Sequence, residues 1–300
     1  MYELPAEFQD ICAYLGGIMS KKVGWFLALL GATLFLVLAF SCSKPEPPPE
    51  ETMAEPVVPA QPAVDYNEMV FVPAGKCIIG GPANDDVTKF SSPPHEVNLK
   101  AFWIDKYEVT FEQFMQFVAD SGYSTKGNWR TFFNENKPML PVFNVTLEDA
   151  QAYAKWAKKR LPTQEEWEKA ASWDPKQNKQ RRWPWGDEWQ DGAANTGSRN
   201  VNDIGLFVGD VSFYGARDML GNVYEWTNST YDAYPNCKAK DPNFGRKLYV
   251  VKGASIYING KIWYMSARSP FPSNAILGMG FRCAKDATPE DEAKYQDAAK

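Results

Sequence analysis

The chain of 300 residues contains a single histidine, His95. Metal centres built from several histidines, and triads that need more than one, are excluded because the side chains are absent. The sequence also lacks a run of lysine and arginine, and its net charge is −5. We therefore expect no nucleic acid partner. His95 stands alone before a predicted strand, so we interpret it as a structural hydrogen-bonding residue.

Charge is also absent from residues 23–40, which are apolar and follow Lys21 and Lys22. A basic segment, an apolar segment and a small residue before Cys42 are typical of a bacterial lipoprotein signal, in which this cysteine is acylated. An uncleaved transmembrane anchor is the alternative, since 18 apolar residues can just span a bilayer. Both interpretations place the rest of the chain outside the cytoplasm, in the periplasm or at the cell surface. Residues 1–18 are acidic and fit poorly before such a signal, so we expect translation to begin at Met19.

Composition divides the chain into four segments. Residues 1–41 form the signal or anchor. Residues 42–65 are rich in proline and glutamate and cannot bury enough apolar surface to fold, which predicts a semi-rigid tether on the lipid anchor. Residues 66–286 form one folded domain. Residues 287–300 are predicted to be a solvated tail, either a short helix or a frayed end.

Within the domain, alternating apolar residues predict strands at 68–75 and 96–104. Thr110, Thr146 and Thr163 each begin a capping box ahead of a helical apolar pattern, which predicts three helices. Regular periodicity fades after Ser172, and a long irregular stretch normally needs disulfides or metal ions to hold it. With Cys12 and Cys42 set aside, three cysteines remain and allow at most one disulfide, so metal ions are the better candidate. The three are Cys77, Cys237 and Cys283.

Several blocks occur in the order seen in the formylglycine-generating enzyme (sulfatase-modifying factor) domain family, and the chain resembles this family from about residue 69 to residue 286. The resemblance implies an α+β fold, the family's variant of the C-type-lectin fold, which is loop-rich with little regular secondary structure. The blocks are PHEV (94–97), FWIDKYEVT (102–110), KRLPTQEEWE (159–168), WPWGD (183–187), DMLGNVYEW (218–226) and GFRCA (280–284).

The enzyme of this family oxidises a substrate cysteine to formylglycine with O₂ and a copper ion bound by two cysteines. By the resemblance, those two positions fall on Ile258 and Trp263, which can neither ligate Cu(I) nor form a thiolate. We therefore expect no copper and no catalytic residue. The resemblance also makes Cys283 a buried thiol, because its usual partner is replaced by Ala154. Iron sulfoxide synthases, a second branch, need several histidines, and His95 cannot provide them.

The resemblance implies two calcium sites, since calcium prefers carboxylate, amide and main-chain oxygens. In the first, Asp218 and Glu225 would supply carboxylates, and Gly221 and Val223 would supply carbonyls. In the second, we expect the Asn195 side chain and the Thr196 carbonyl, completed by Asp203 and Gly205, with Asn202 and Ile204 as alternatives.

The same resemblance implies ion pairs for Arg160 and Arg268 with Asp105 or Glu166. An aromatic cluster could be a ligand platform or core. These considerations predict a lipid-anchored, calcium-stabilised, non-catalytic module whose cleft binds a protein or glycan at the cell envelope. A formylglycine-generating oxidase, or an oxidation centred on another residue, is the alternative. The cluster comprises Trp183, Trp185, Trp189, Tyr224 and Trp226.

Overall fold

The computed structural model describes residues 65–298. The predicted signal or anchor, the start at Met19, the lipidated Cys42 and nearly all of the tether lie outside this range. Within the described residues, we find no helix with the length and apolar character needed to cross a membrane.

Short strands and helices alternate with long loops in the described part of the chain. The helices are α1 (Phe111–Ser121), α2 (Leu147–Trp156), α3 (Gln164–Ser172) and α4 (Pro289–Ala298). The strands are β1 (Met69–Val72), β2 (Gly75–Ile79), β3 (His95–Leu99), β4 (Phe102–Asp105), β5 (Trp173–Asp174), β6 (Lys179–Gln180), β7 (Tyr224–Thr230), β8 (Tyr249–Lys252), β9 (Ser269–Phe271), β10 (Met279–Gly280) and β11 (Ala284–Asp286).

The strands form two small sheets and two hairpin-like pairs. One sheet has the order β1-β4-β11, with all neighbours antiparallel. The other has the order β10-β7-β8-β9, in which only the β10 and β7 pair is parallel. Strand β2 pairs with β3, and β5 pairs with β6. In both larger sheets a strand from the end of the domain joins an earlier one, so the sheets tie distant parts of the chain together.

Helices α1, α2 and α3 begin at the predicted capping boxes. In each, the threonine hydroxyl accepts a hydrogen bond from the N3 backbone, and the N3 side chain accepts one from the threonine backbone. The N3 residues are Gln113, Asp149 and Glu166. These reciprocal bonds satisfy backbone donors that a helix leaves free at its first turn, which explains why the local sequence defines these starts.

The single strand predicted over 96–104 is wrong, because the chain forms two strands, β3 and β4, separated at Lys100 and Ala101. Strand β3 pairs with β2, whereas β4 lies between β1 and β11. The apolar pattern continues through the break, but hydrogen-bonding partners in two different sheets divide it. Sequence periodicity contains no information about that change of partner.

Regular structure also continues in the region predicted to be irregular. Strand β7 lies there, and its register shifts between Trp226 and Thr230 where it pairs with β8. Trp226 and its two neighbours are all buried, so β7 lacks the alternation by which a strand is recognised.

Two main apolar clusters form the core. The first packs α1 and α2 against Trp226 and Phe281, and it contains both Ala154 and Cys283. The second packs β1, β4 and α3 against the 183–189 tryptophans and Met219, and both Ile258 and Trp263 contact it from its partly buried edge. The candidate site lies at this second cluster.

Candidate functional site

The segment 256–263 carries Ile258 and Trp263, the two positions on which the family resemblance places the copper-binding cysteines. Ile258 and Trp263 are partly buried and pack on the second cluster. A short 3-10 turn, Gly260–Ile262, separates them. The Trp263 indole N–H is buried and has no hydrogen-bond partner among residues 65–298. An aliphatic and an indole side chain here supply apolar packing and no metal-binding sulfur.

The three cysteines of the described domain do not form a disulfide with one another. Burial raises the pKa of the Cys77 thiol to about 12. Burial also raises the pKa of Cys283 well above its usual value. Cys237 is half-buried and contacts the small cluster that contains Cys77, whereas Cys283 belongs to the first main cluster. Cys77 and Cys283 therefore stay protonated near neutral pH, and a protonated thiol is a poor nucleophile and ligand.

The first predicted calcium site contains a buried ion pair. Arg282 donates from Nε to Oε2 of Glu225 at 2.7 Å and from an Nη to Oε1 at 2.8 Å. The Trp167 indole donates to the same Oε2 at 2.7 Å. Both oxygens of Glu225 thus face donors, two of them on a guanidinium. A calcium ion at Glu225 would have to compete with this charge, so Glu225 does not fit as a ligand.

Carboxyl groups nevertheless exceed cations around this ion pair. Glu108, Asp210 and Asp218 are buried near the Arg282 guanidinium. Burial raises the pKa of Asp218 to about 6. Burial also raises the pKa of Glu108 and of Asp210 well above the ordinary value, and the negative charge of Asp218 raises both pKa values further. One oxygen of Asp210 has no hydrogen-bond partner in the described part of the chain. This surplus of negative charge is stabilised by protons or by a cation.

The backbone of the 218–225 turn has a positive φ at three residues. Asp218 has φ of +53° and Asn222 has φ of +56°, a conformation that Asp and Asn tolerate better than most side chains. Gly221 has φ of +90°, and a Cβ there would lie 2.2 Å from the carbonyl oxygen of Asn195. Only glycine fits at this close approach, so Gly221 has a steric role whether or not its carbonyl binds a metal.

The second predicted site is an amide network. The Asn195 side chain donates to Oδ1 of Asn222 at 2.9 Å and accepts from Ser198 at 2.7 Å. Asn222 also accepts from the Asn202 backbone at 3.0 Å and donates to Glu108 at 3.0 Å. These bonds link the two predicted sites through Asn222.

The remaining residues of the second set lie apart or have other contacts. The Asp203 side chain is exposed, and the neighbouring Asn202 joins the network in its place. Gly205 donates its backbone N–H to Asp218 at 2.6 Å, so it contacts the first set. Across residues 65–298, no group of three or more His, Cys, Asp or Glu side chains is arranged to hold a metal ion. Calcium binding stays a prediction, which the charge of the Asp210 and Asp218 pair favours.

A cavity of about 620 Å³ lies beside the amide network. Three segments line it: 189–198, 202–207 and 259–261. The backbone N–H groups of Gly197 and Ser198 bond the carbonyls of Ile258 and Ile256, both at 2.9 Å. The segment that carries the altered cysteine positions thus forms one side of this cavity, whose size is typical of small-ligand sites.

The other predicted polar residues have structural contacts. Arg160 forms two hydrogen bonds of 2.7 Å with Glu166 and also bonds Asp286. Arg268 lacks the predicted ion pair within the described residues: its guanidinium packs 3.8 Å from the Tyr234 ring centroid and bonds backbone carbonyls. His95 begins β3 and contacts the Pro93 carbonyl at 3.0 Å.

Four residues of this site were not predicted from the sequence. Glu108, Asn222 and Arg282 lie inside the motif blocks that carry the family resemblance, but their types alone gave no role. Asp210 lies in the loop before the 218–226 block, and only its position in the fold brings it near Asp218. The blocks themselves were the signal, because three of them supply the groups that meet here.

Comparison with known proteins identifies the class. A family model described as "Sulfatase-modifying factor enzyme 1-like domain" matches residues 54–287. The chain belongs to this family. Among solved structures, PvdO from Pseudomonas aeruginosa superposes with a TM-score of 0.58 at 23% identity, covering 73% of this chain and 94% of that one. This likeness shows the fold, the α+β, loop-rich arrangement predicted from the sequence.

The relatives differ in activity. The hercynine oxygenase of Mycolicibacterium smegmatis is 33% identical over 222 residues, 63% of this chain and 52% of that protein. The inactive C-alpha-formylglycine-generating enzyme 2 of Mus musculus is 28% identical over 279 residues, 73% of this chain and 86% of that protein. The chain thus spans about half the length of this hercynine oxygenase. Family membership therefore leaves catalysis open, and the residues of the site must decide it.

Proposed function

We propose that this chain is a non-catalytic binding module of the bacterial cell envelope, exported and held at the membrane by a lipid on Cys42. The proposal is carried by Ile258 and Trp263, the side chains found where the family resemblance places the copper-binding cysteines. Both pack into apolar surroundings, so no thiolate pair can form there. One family member is described as inactive, so catalysis is not a requirement of this fold.

The described thiols give little support for a relocated cysteine oxidation. Cys77 and Cys283 are buried with raised pKa values and belong to different clusters. An oxygenase centre that depends on several histidine ligands cannot form in this chain, because His95 is its single histidine. Binding is the role that remains, and the cavity beside Ile258 is where a partner would bind.

The membrane part of the proposal rests on the sequence of residues 21–42. We expect the wild-type protein to carry an acyl group on Cys42 and to fractionate with membranes. Mass spectrometry of the mature N-terminus measures this directly. A Cys42→Ala variant should lose the acyl mass, and an unmodified Cys42 in the wild type would contradict lipidation. Retention of residues 23–40 on that chain would indicate an uncleaved anchor.

The proposed function includes a stabilising cation, but at one site instead of two. The charge around Asp210 and Asp218 favours calcium, whereas Glu225 is occupied by Arg282. We therefore propose one cation at the Asp218 side, and we do not assign a ligand role to Glu225.

The catalytic alternative is tested with a cysteine-containing sulfatase peptide, Cu(I) and O₂. We expect no aldehyde from the purified full-length protein, while a formylglycine-generating enzyme run in parallel converts the same peptide. Mass spectrometry reports the conversion. Aldehyde formation by this chain would falsify the proposed function, since oxidation without the cysteine pair would require another centre.

A further inference from the structure

The cavity beside the altered catalytic segment has an aromatic wall with a fixed orientation. The Trp189 indole donates to Asp191 at 2.6 Å. Its ring lies 5.2 Å from Trp183 and 5.7 Å from Trp185, at interplanar angles of 64° and 57°. Trp189 lines the cavity, while Trp183 and Trp185 support it from outside the lining. Because the ring is already positioned, a ligand that stacks on it pays little ordering entropy.

A second aromatic ring also lines the cavity. Phe207, at the end of the 202–207 segment, lines the cavity and is partly buried. Aromatic rings present a negative face that attracts polarised C–H groups. A flat ligand with C–H groups on its faces would suit such walls.

The polar lining consists mainly of amides and hydroxyls. Thr196, Ser198, Asn202 and Asn259 contribute groups that both donate and accept hydrogen bonds. Asn195, which also lines the cavity, is held by its hydrogen bonds to Asn222 and Ser198. Groups of this dual kind match ligand hydroxyls, which also donate and accept.

The formal charges of the lining cancel. Asp191 and Lys261 are its one acid and one base. A phosphate or polyanion would need several cations here, and a polyamine would need several carboxylates. The balance therefore favours a neutral ligand.

We infer that this cavity binds a neutral oligosaccharide, with a sugar ring stacked on Trp189 and hydroxyls bonded to the amide and hydroxyl side chains. The inference rests on the proposed binding function and names its ligand class. A sugar ring has flat C–H faces and hydroxyls at its edge. This chemistry matches a lining that combines aromatic rings with amide and hydroxyl side chains. A protein loop is the competing occupant, since the exposed Leu206 and Val208 flank Phe207.

Saturation-transfer NMR on the full-length protein in detergent tests this inference. The probes are chitotriose, cellotriose and maltotriose, with a random heptapeptide pool as the protein-like probe. We expect at least one sugar to bind the wild type, and Trp189→Ala to weaken that binding about tenfold or more. The matched control is Trp156→Ala, which removes an exposed indole outside the cavity lining and should preserve affinity within about twofold.

A second variant guards against loss of fold. Phe207→Ala removes the second aromatic ring of the lining and should also weaken sugar binding. Circular dichroism shows whether each variant is folded. The inference is overturned when no sugar binds, when Trp189→Ala and Trp156→Ala bind equally well, or when only the peptides bind in a Trp189-dependent manner. These outcomes leave the proposed function standing when no aldehyde forms in the peptide oxidation assay. Aldehyde formation overturns the proposed function whatever the sugars do.

Discussion

Arg282 binds both carboxylate oxygens of Glu225, at 2.7 and 2.8 Å, and neither side chain is more than 1% exposed. The guanidinium also donates to backbone carbonyls of the 105–106 and 217–218 segments. It therefore joins strand β4, the acidic turn and strand β7. This pair lies where the sequence predicted a calcium ligand.

Removing this arginine should strongly destabilise the protein. Arg282→Met leaves Glu225 charged and buried without its partner, so we expect the free energy of unfolding to fall by about 3 to 5 kcal/mol. Arg282→Lys retains the charge but loses the paired geometry, and it should still cost a large part of that amount. Urea denaturation measures both. A loss below about 1 kcal/mol for Arg282→Met would show that the pair contributes little.

The acidic cluster predicts a pH dependence of stability in the presence of a chelator. Burial raises the pKa of Asp218 to about 6, above its ordinary value of 3.8. The folded state then binds this proton more tightly than the unfolded state, so its contribution is greatest at low pH and is lost as pH rises through about 6. Relative to Asp218→Asn, the wild type should lose about 3 kcal/mol between about pH 3 and about pH 7. Parallel unfolding curves for the two proteins would contradict this.

Calcium should reverse that loss. A cation at the Asp218 side neutralises the charge that burial disfavours, so calcium should raise the melting temperature of the wild type near neutral pH. Asp218→Asn should respond less. Differential scanning fluorimetry with calcium, magnesium or chelator measures the effect. Equal melting temperatures of the wild type in calcium and in chelator would remove calcium from the proposal.

A second buried ion pair predicts coupling between two residues. Lys252 and Glu168 lie 2.8 Å apart with 0% side-chain exposure, and Glu168 also accepts from Gly80 and Gln180. Lys252→Met should cost about 3 to 5 kcal/mol, because Glu168 is left without its cation. Glu168→Gln combined with Lys252→Met should cost less than the sum of the single changes. Strict additivity in the double-mutant cycle would indicate that the two charges act independently.

Replacing Asp149 should destabilise the protein more than removing another helix cap. Its carboxylate accepts backbone hydrogen bonds from Lys126, Gly127 and Thr146, at 2.8 to 2.9 Å. Asp149→Ala should cost about 3 kcal/mol because buried backbone donors lose their acceptor. The matched change Thr163→Ala removes one cap and should cost about 1 kcal/mol. Thermal unfolding compares the two, and equal losses would limit Asp149 to ordinary capping.

Local features were predicted well from the sequence. The three capping boxes define their helix starts because all of their hydrogen bonds lie within four residues. The six motif blocks placed the chain in its family, and the lack of cysteine at Ile258 and Trp263 was visible because side-chain chemistry does not depend on the fold. The strand break at Lys100 was missed because the two halves bond to different partners.

The sequence by itself determined the helix starts, the family and the lack of a sulfur pair, since each depends on residue type and short spacing. Only the tertiary structure decided that Glu225 pairs with Arg282, 57 positions away, and that Asp210 and Asp218 share one buried site. Charge interactions act through space and strengthen with burial, so their outcome depends on which side chains the folded chain brings together.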